Sequence, residues 1–159
     1  MTDDRADRIR RGDDGTFVVD RSLVSNCFGC GQANEQGLRL RFREVDDGWV
    51  ETRVRVPRHL CGMDTVVHGG IQATILDEVC GVAAQLGLPP GSTDDPCVTA
   101  ELSLRYQRPV PIADDVVAQA RVTGVEGRRI SVEGRIVSPD GEVLTAVTSR
   151  WAQLVRPPA

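Results

Sequence analysis

The sequence contains no lysine, so all 19 of its basic residues are arginine, and it has only two histidines. Aromatic residues make up 4% of the chain, which gives no indication of an aromatic-lined pocket. No apolar run approaches the roughly 20 residues that a helix needs to span a bilayer. The formal net charge of −4 argues against nucleic acid as the main partner. We therefore expect a cytoplasmic protein that has neither a membrane nor a nucleic acid as its partner.

The five cysteines, at positions 27, 30, 61, 80 and 97, are odd in number and scattered, which is typical of reduced thiols. Cys27 and Cys30 have the spacing of half a zinc site. However, the only histidines are His59 and His68, and there is no second cysteine pair. The sequence therefore predicts a structural turn at these two thiols and no metal site.

One domain accounts for most of the 159 residues, of which 40% are hydrophobic. Residues 1–16 alternate in charge and are almost without apolar side chains, so we expect a disordered or loosely docked tail followed by a single domain over 17–159. Alternating apolar residues and turn signals predict strands over 38–43, 49–56, 97–106, 114–125, 129–138 and 142–154. A sheet of about five to six antiparallel strands, covered by one helix, belongs to the α+β class.

That helix is predicted between His68 and Leu86, where apolar residues recur at spacings of three and four. Its opposite face carries small residues and one carboxylate, namely Gly70, Ala73, Thr74, Asp77, Gly81 and Ala84. The helix begins at two glycines, Gly69 and Gly70, which let a ligand approach the free N–H groups at its positive end. A polarising helix N-terminus and a carboxylate are two parts of an acyl-transfer site.

Gly69 and Asp77 are too far apart to act on one carbonyl within a single chain. They are eight residues apart, or about 12 Å along a helix, whereas each must lie about 3 Å from the reacting atoms. Two antiparallel copies of the helix, related by a two-fold axis, would bring Gly69 of one subunit to Asp77 of the other. We therefore expect a homodimer that meets through the small-residue face.

The HGG run at residues 68–70, with an acid at Asp77 and YQRP at residues 106–109, resembles the hotdog-fold acyl-CoA thioesterases of the PaaI-like group. The resemblance covers about residues 27–155, and residues 27–38 resemble the opening segment of one bacterial branch. It implies an antiparallel sheet wrapped around one long central helix and hydrolysis of an acyl-CoA or related thioester. It also implies dimers that commonly pair into tetramers. Coenzyme A would enter as part of the substrate, so no cofactor is expected.

The same resemblance implies roles for individual residues. The backbone N–H of Gly69 would stabilise the oxyanion, and Asp77 would act as nucleophile or general base. Thr99 corresponds to the polar helper on the strand after the helix. His68 either contacts the thioester or orients the turn before the helix. Glu78 is a second candidate acid, a helper or a member of an ion pair.

Arginines at turns are candidates for binding the phosphates of coenzyme A, together with Gly70 at the helix start. They are Arg108, Arg128 and Arg129, of which the pair at 128–129 is favoured, although each alone is also compatible with a solvated side chain. Two other functions stay open: a non-catalytic domain that binds acyl thioesters, and a hydratase or dehydratase of the same fold. An acid at position 77 favours the thioesterase, and the helix lacks the histidine-bearing pattern expected of a hydratase.

Overall fold

A computed structural model describes residues 9–19, 25–89 and 95–155 of the chain. Within these ranges eight strands form one antiparallel sheet around a single α-helix, α1 (Gly69–Gly87). The strands are β1 (Ile9–Arg11), β2 (Phe17–Val19), β3 (Phe42–Glu44), β4 (Val50–Arg55), β5 (Cys97–Tyr106), β6 (Asp115–Glu126), β7 (Arg129–Val137) and β8 (Val143–Gln153).

The strand order in the sheet is β1-β2-β3-β4-β6-β7-β8-β5. Strands β6 to β8 form a meander, and β5, which follows the helix, pairs with the outer side of β8. This order leaves β1 and β5 as the two edges. Strand β5 spans ten residues, and every side chain after Cys97 is exposed or half-buried. The sheet therefore ends in a long, uncovered edge beside the helix.

Helix α1 packs against strands β4 to β8. Ile75, Leu76 and Val79 on its inner face are completely buried, as the apolar spacing predicts. At Gly134 of β7 an added Cβ would lie 3.1 Å from the sulfur of Cys80, so the sheet and the helix approach closely there. A sheet wrapped around one long helix is the hotdog arrangement, and the predicted fold is confirmed. None of the described helices has the length and apolarity needed to cross a membrane.

The sheet has more strands than the five to six predicted, because two short strands lie at its N-terminal edge. Residues 9–11, within the segment 1–16 that is predicted to be a disordered or loosely docked tail, form β1, which pairs with β2. The guanidinium of Arg11 lies 5.5 Å from the ring centre of the buried Phe17 and forms a 3.0 Å ion pair with Glu44. Residues 1–8 lie outside the described part of the chain.

The predicted strand over 38–43 is also wrong in its extent, since β3 begins only at Phe42. Leu40 is buried, as the alternation predicts, but Arg39 adopts a φ of 48°, which interrupts an extended strand. The N–H of Leu40 instead donates to the carbonyl of Gly29. This segment therefore pairs with the loop that contains Cys27 and Cys30.

The small-residue face of α1 is only partly available for a partner. Ala84 is completely buried, and a Cβ added at Gly81 would lie 2.8 Å from the ring of Trp151 on β8. The C-terminal part of this face thus packs within the same chain, contrary to the prediction. The remaining part, from Gly70 to Asp77, is half-buried or exposed.

Candidate active site

The N-terminus of α1 presents one backbone N–H that has no acceptor within the described residues. His68 is the N-cap, and its ring Nδ1 accepts a hydrogen bond from the N–H of Gly70 at 2.9 Å. The carbonyl of His68 accepts from the next two N–H groups, those of Ile71 and Gln72. The N–H of Gly69 is thereby left available, at the positive end of a helix dipole.

Two side chains that sequence reasoning missed hold this turn in place. The buried Gln72 donates through Nε2 to the carbonyl of Val67 at 3.0 Å, and its Oε1 accepts from the hydroxyl of Thr145 at 2.6 Å. The hydroxyl of Tyr106, at the end of β5, donates to the carbonyl of Gly69 at 2.9 Å. A lone glutamine on the buried side of the predicted helix is the sequence signal that points to such a bond.

Asp77 and Thr99 meet in space as a hydrogen-bonded pair. The Thr99 hydroxyl, near the start of β5, donates to Oδ1 of Asp77 at 2.8 Å. The second carboxylate oxygen, Oδ2, has no hydrogen-bond partner among the described residues. Because one oxygen is fixed by the threonine, the carboxylate is oriented while the other oxygen stays available to water or substrate.

Both side chains line a cavity of about 480 Å³ between α1, the start of β5 and the segment at residues 25–30. Val82, Val98 and Trp151 contribute apolar surface to the cavity. A concave, mostly apolar space with a few polar groups is typical of small-molecule sites. The cavity is therefore large enough and apolar enough to receive part of an acyl chain beside the carboxylate.

Glu78 lines the same cavity but has different partners. Its Oε1 accepts a hydrogen bond from the thiol of Cys27 at 3.2 Å. Burial, together with the hydrogen bond and the negative charge of Glu78, raises the pKa of the Cys30 thiol well above its usual range. Cys30 is thus a neutral thiol near pH 7, so it is not an activated nucleophile.

The predicted phosphate-binding arginines lie at opposite ends of the sheet. Arg108 follows β5 near the N-terminus of α1, and its Nε forms a 2.6 Å ion pair with Glu142. Arg128 and Arg129 lie at the turn between β6 and β7, which is at the same end of the sheet as Thr99. Within the described residues, neither Arg128 nor Arg129 forms an ion pair.

Strand β5 connects the two groups of candidate site residues. Thr99 at one end of this strand binds Asp77, and Tyr106 at the other end binds Gly69. The free N–H and the oriented carboxylate lie on one continuous helix. Along α1 they are therefore separated by about two helical turns, or roughly 12 Å.

Comparison with known proteins identifies relatives of this architecture. A family model described as "Thioesterase superfamily" matches residues 64–145. Acyl-coenzyme A thioesterase THEM4 of Rattus norvegicus is 35% identical over 72 residues, which are 45% of this chain and 28% of the rat protein. The Mus musculus protein of the same name is 33% identical over 72 residues. The chain thus matches less than a third of the length of these curated relatives.

Solved structures share the fold over most of the chain. A thioesterase superfamily protein superposes with a TM-score of 0.70 and 30% identity, covering 80% of this chain and 60% of the other. A Bacillus halodurans protein solved with CoA gives a TM-score of 0.65 and 29% identity, covering 76% and 77% of the two chains. The E. coli PaaI protein gives a TM-score of 0.64 at 17% identity, covering 79% and 84%, which shows a common fold.

Proposed function

The chain belongs to the thioesterase superfamily, and on that premise we propose that it hydrolyses an acyl-CoA or related acyl thioester to a free acid and a thiol. The observation that carries this proposal is the oriented Asp77 carboxylate, which is bonded to Thr99 at the wall of an apolar cavity. Relatives named acyl-coenzyme A thioesterase and a relative solved with CoA support this substrate class.

In the proposed reaction, a carboxylate oxygen of Asp77 acts as the general base or as the nucleophile toward the thioester carbonyl. Its Oδ2 either removes a proton from water as the water attacks the thioester carbonyl, or attacks the carbonyl itself to form an anhydride that water then cleaves. Thr99 is a positioning residue, because it holds Oδ1 and thereby aims Oδ2. The N–H of Gly69 stabilises the oxyanion that forms, and the thiol leaves with a proton.

His68 adds a second donor near the oxyanion. Because its Nδ1 accepts a hydrogen bond from the N–H of Gly70, the neutral ring carries its own proton on Nε2. The same bond occupies the N–H of Gly70, so Gly69 is the better candidate for the oxyanion donor. Glu78 is bonded to Cys27 and is therefore less suited than Asp77 to act as the acid.

The complete site requires a second copy of the chain, as we infer from the distance between Gly69 and Asp77. The uncovered edge of β5 offers a surface for this dimer, since an edge of ten residues is otherwise open to non-specific pairing. Antiparallel, two-fold pairing of β5 about Ser103 would place Tyr106 of the partner subunit opposite Ala100, the residue next to Thr99. Since Tyr106 holds Gly69 and Thr99 holds Asp77, this pairing carries the free N–H of one subunit toward the carboxylate of the other.

For coenzyme A we propose the turn between β6 and β7 as the phosphate site. Among the residues that the structure describes, Arg128 and Arg129 form no ion pair, whereas Arg108 is already paired with Glu142. Changing both turn arginines to alanine should raise KM for an acyl-CoA roughly 10-fold, since one charge-assisted phosphate contact contributes about 1–3 kcal/mol. KM for the matching acyl-pantetheine, which lacks the phosphates, should not change, and Arg108→Ala serves as the control.

The test of the activity is thiol release from short, medium, long and aryl acyl-CoAs by wild type and Asp77→Asn. We expect Asp77→Asn to lower kcat about 100-fold or more, since general-base catalysis contributes that much. Asp140→Asn, at the exposed turn after β7, is the isosteric control and should retain full activity. Equal rates for wild type and Asp77→Asn would transfer the role to Glu78, and binding of every thioester without hydrolysis would indicate a non-catalytic domain.

A further inference from the structure

The loop at residues 25–37 lies against α1 with little apolar burial. Its one large apolar side chain, Phe28, is 41% exposed, and the half-buried Cys30 packs against the core. The loop nevertheless fits tightly, because a Cβ added at Gly29 would lie 2.3 Å from Cγ of Glu78. Backbone hydrogen bonds from Leu38 and Leu40 hold its outer side, whereas Cys27 bonds to Glu78 on the side that faces α1.

The groups that face each other under this loop are suited to a metal ion. The ligand atoms of Cys27, Cys30 and Glu78 all lie within 4.8 Å of one another, and all three residues are half-buried. Cys27 Sγ and Glu78 Oε1 are 3.2 Å apart. Around a tetrahedral zinc ion, with Zn–S bonds of about 2.3 Å and Zn–O bonds of about 2.0 Å, such a pair is separated by about 3.5 Å. The observed separation needs only a small adjustment.

We propose that Cys27, Cys30 and Glu78 bind a zinc ion that fastens the loop at residues 25–37 to helix α1. The two cysteines provide thiolates, which select thiophilic ions such as zinc, and the helix provides the third ligand. As the Zn–S bonds form, the two thiol protons pass to solvent. All three residues also line the cavity beside Asp77, so the fourth position is open to water.

The local structure and the sequence both support the site. The turn Cys27-Phe28-Gly29-Cys30-Gly31 is closed by a 3.0 Å hydrogen bond from the N–H of Gly31 to the carbonyl of Cys27. This brings the thiols to one side of the turn, facing Glu78. The cysteines and histidines of the sequence alone predict no metal, because the third ligand is a carboxylate 48 positions beyond Cys30.

The test measures metal binding, so its outcome does not depend on the proposed hydrolysis. The reduced full chain, purified without a polyhistidine tag, is analysed for zinc and then stripped and titrated with Co(II) and Zn(II). We expect one ion per chain and the thiolate-to-cobalt charge-transfer bands of a tetrahedral site. Removing even an outer-shell partner of a metal ligand lowers metal affinity about 10- to 100-fold. Loss of a ligand should cost at least as much, so Zn(II) binding should be weakened to that extent or more in Cys27→Ser, Cys30→Ser and Glu78→Gln. Cys61→Ser, at a half-buried cysteine outside the cluster, should bind like wild type.

Two results would overturn the proposal. In the first, the reduced wild-type protein takes up no zinc or cobalt, and its two loop thiols instead form a disulfide when exposed to hydrogen peroxide. In the second, metal binds equally well to the wild-type, Cys27→Ser and Cys30→Ser proteins. Should a variant fail to fold, the stoichiometry and the cobalt spectrum of wild type still decide. A chelator that lowers the Tm of wild type, but not that of the folded double cysteine variant, would confirm that the ion fastens the loop.

Discussion

Replacing Gly69 by proline should remove one hydrogen-bond donor and leave the path of the backbone unchanged. Gly69 is the first residue of α1, a position where proline is well tolerated. The preceding His68 has φ −56° and ψ 136°, the extended conformation that a residue before proline prefers. The nearest atoms to an added Cβ are ring carbons of Tyr106 at 3.5 Å, an ordinary contact distance. Since the N–H of Gly69 has no acceptor within the described residues, folding loses no hydrogen bond.

The expected effect is confined to the transition state. Loss of one oxyanion donor lowers kcat by about 10²–10³, whereas KM and the Tm should change little. Gly69→Ala, which keeps the N–H and adds the same Cβ, should retain most of the activity. If Gly69→Pro remained fully active, the oxyanion assignment would be wrong.

The same variant tests whether two chains share one site. In a heterodimer of Gly69→Pro with Asp77→Asn, one site combines the intact Asp77 of the first chain with the intact Gly69 of the second, and the other site has lost both groups. Heterodimers isolated through two different tags should therefore regain about half of the wild-type activity per dimer. Thiol release measures this directly. If the heterodimers are no more active than the two parent variants, either Gly69 and Asp77 of the same chain form one site, or one of the two residues has no part in catalysis.

Three further outcomes follow from the contacts described. Thr99→Val should lower kcat roughly 10-fold at constant KM, because a hydrogen bond to the charged Asp77 is lost. Gly29→Ala should reduce the free energy of unfolding by about 1–3 kcal/mol in denaturant titrations, since its Cβ would overlap Glu78. Burial raises the pKa of Glu51, but hydrogen bonds and positive charge outweigh this and hold the pKa below 4.5. The stability that Glu51 contributes is thus complete above pH 4.5 and is lost as the pH falls through its lower folded-state pKa. In a plot of unfolding free energy against pH, Glu51→Gln should therefore make the decrease at acid pH less steep.

Each of these changes has a matched control. Thr99→Ser keeps the hydroxyl and should restore kcat, which a purely structural loss would not allow. Gly124→Ala adds a Cβ that meets nothing within 4 Å and should not reduce stability. Glu126→Gln, at the exposed C-terminal end of β6, should leave the decrease at acid pH as in wild type. A Gly29→Ala protein as stable as wild type would show that the loop does not press on Glu78.

The long elements could be predicted closely because their signals are local. The apolar spacing and the two glycines at the start predicted a helix from about Gly70 to Leu86, against Gly69–Gly87 in the structure. The prediction for β5 agrees at both ends, since an alternating run lies between prolines. In contrast, β1 lies in the charged N-terminal segment, where its pairing with β2 and the contact of Arg11 with Glu44 become visible only in the structure. Arg11 and Glu44 are 33 positions apart, so no local pattern contains that contact.

The candidate site was predictable in its residue types but not in its contacts. The resemblance to PaaI-like thioesterases singled out Asp77, Gly69 and Thr99, while the 2.8 Å bond between Asp77 and Thr99 appears only in the structure. Gln72 and Tyr106, which hold the turn before the helix, were missed. Both bind backbone carbonyls, contacts that form no motif, and a lone glutamine on the buried side of the helix is the one local sign of them.

Asp77 and Glu78 are adjacent acids on the helix, so their positions in the sequence alone did not distinguish their roles. Consecutive helical residues point about 100° apart, so Asp77 and Glu78 face different neighbours. Asp77 faces β5, where Thr99 holds one oxygen and leaves the other available to the cavity. Glu78 faces the loop, where Cys27 donates to it. A carboxylate with one oriented and one free oxygen is suited to attack or proton transfer, whereas a carboxylate among thiols is suited to bind a cation. The different partners of these two residues, more than their shared charge, therefore support the proposed catalytic role of Asp77 and the proposed role of Glu78 in attaching the loop.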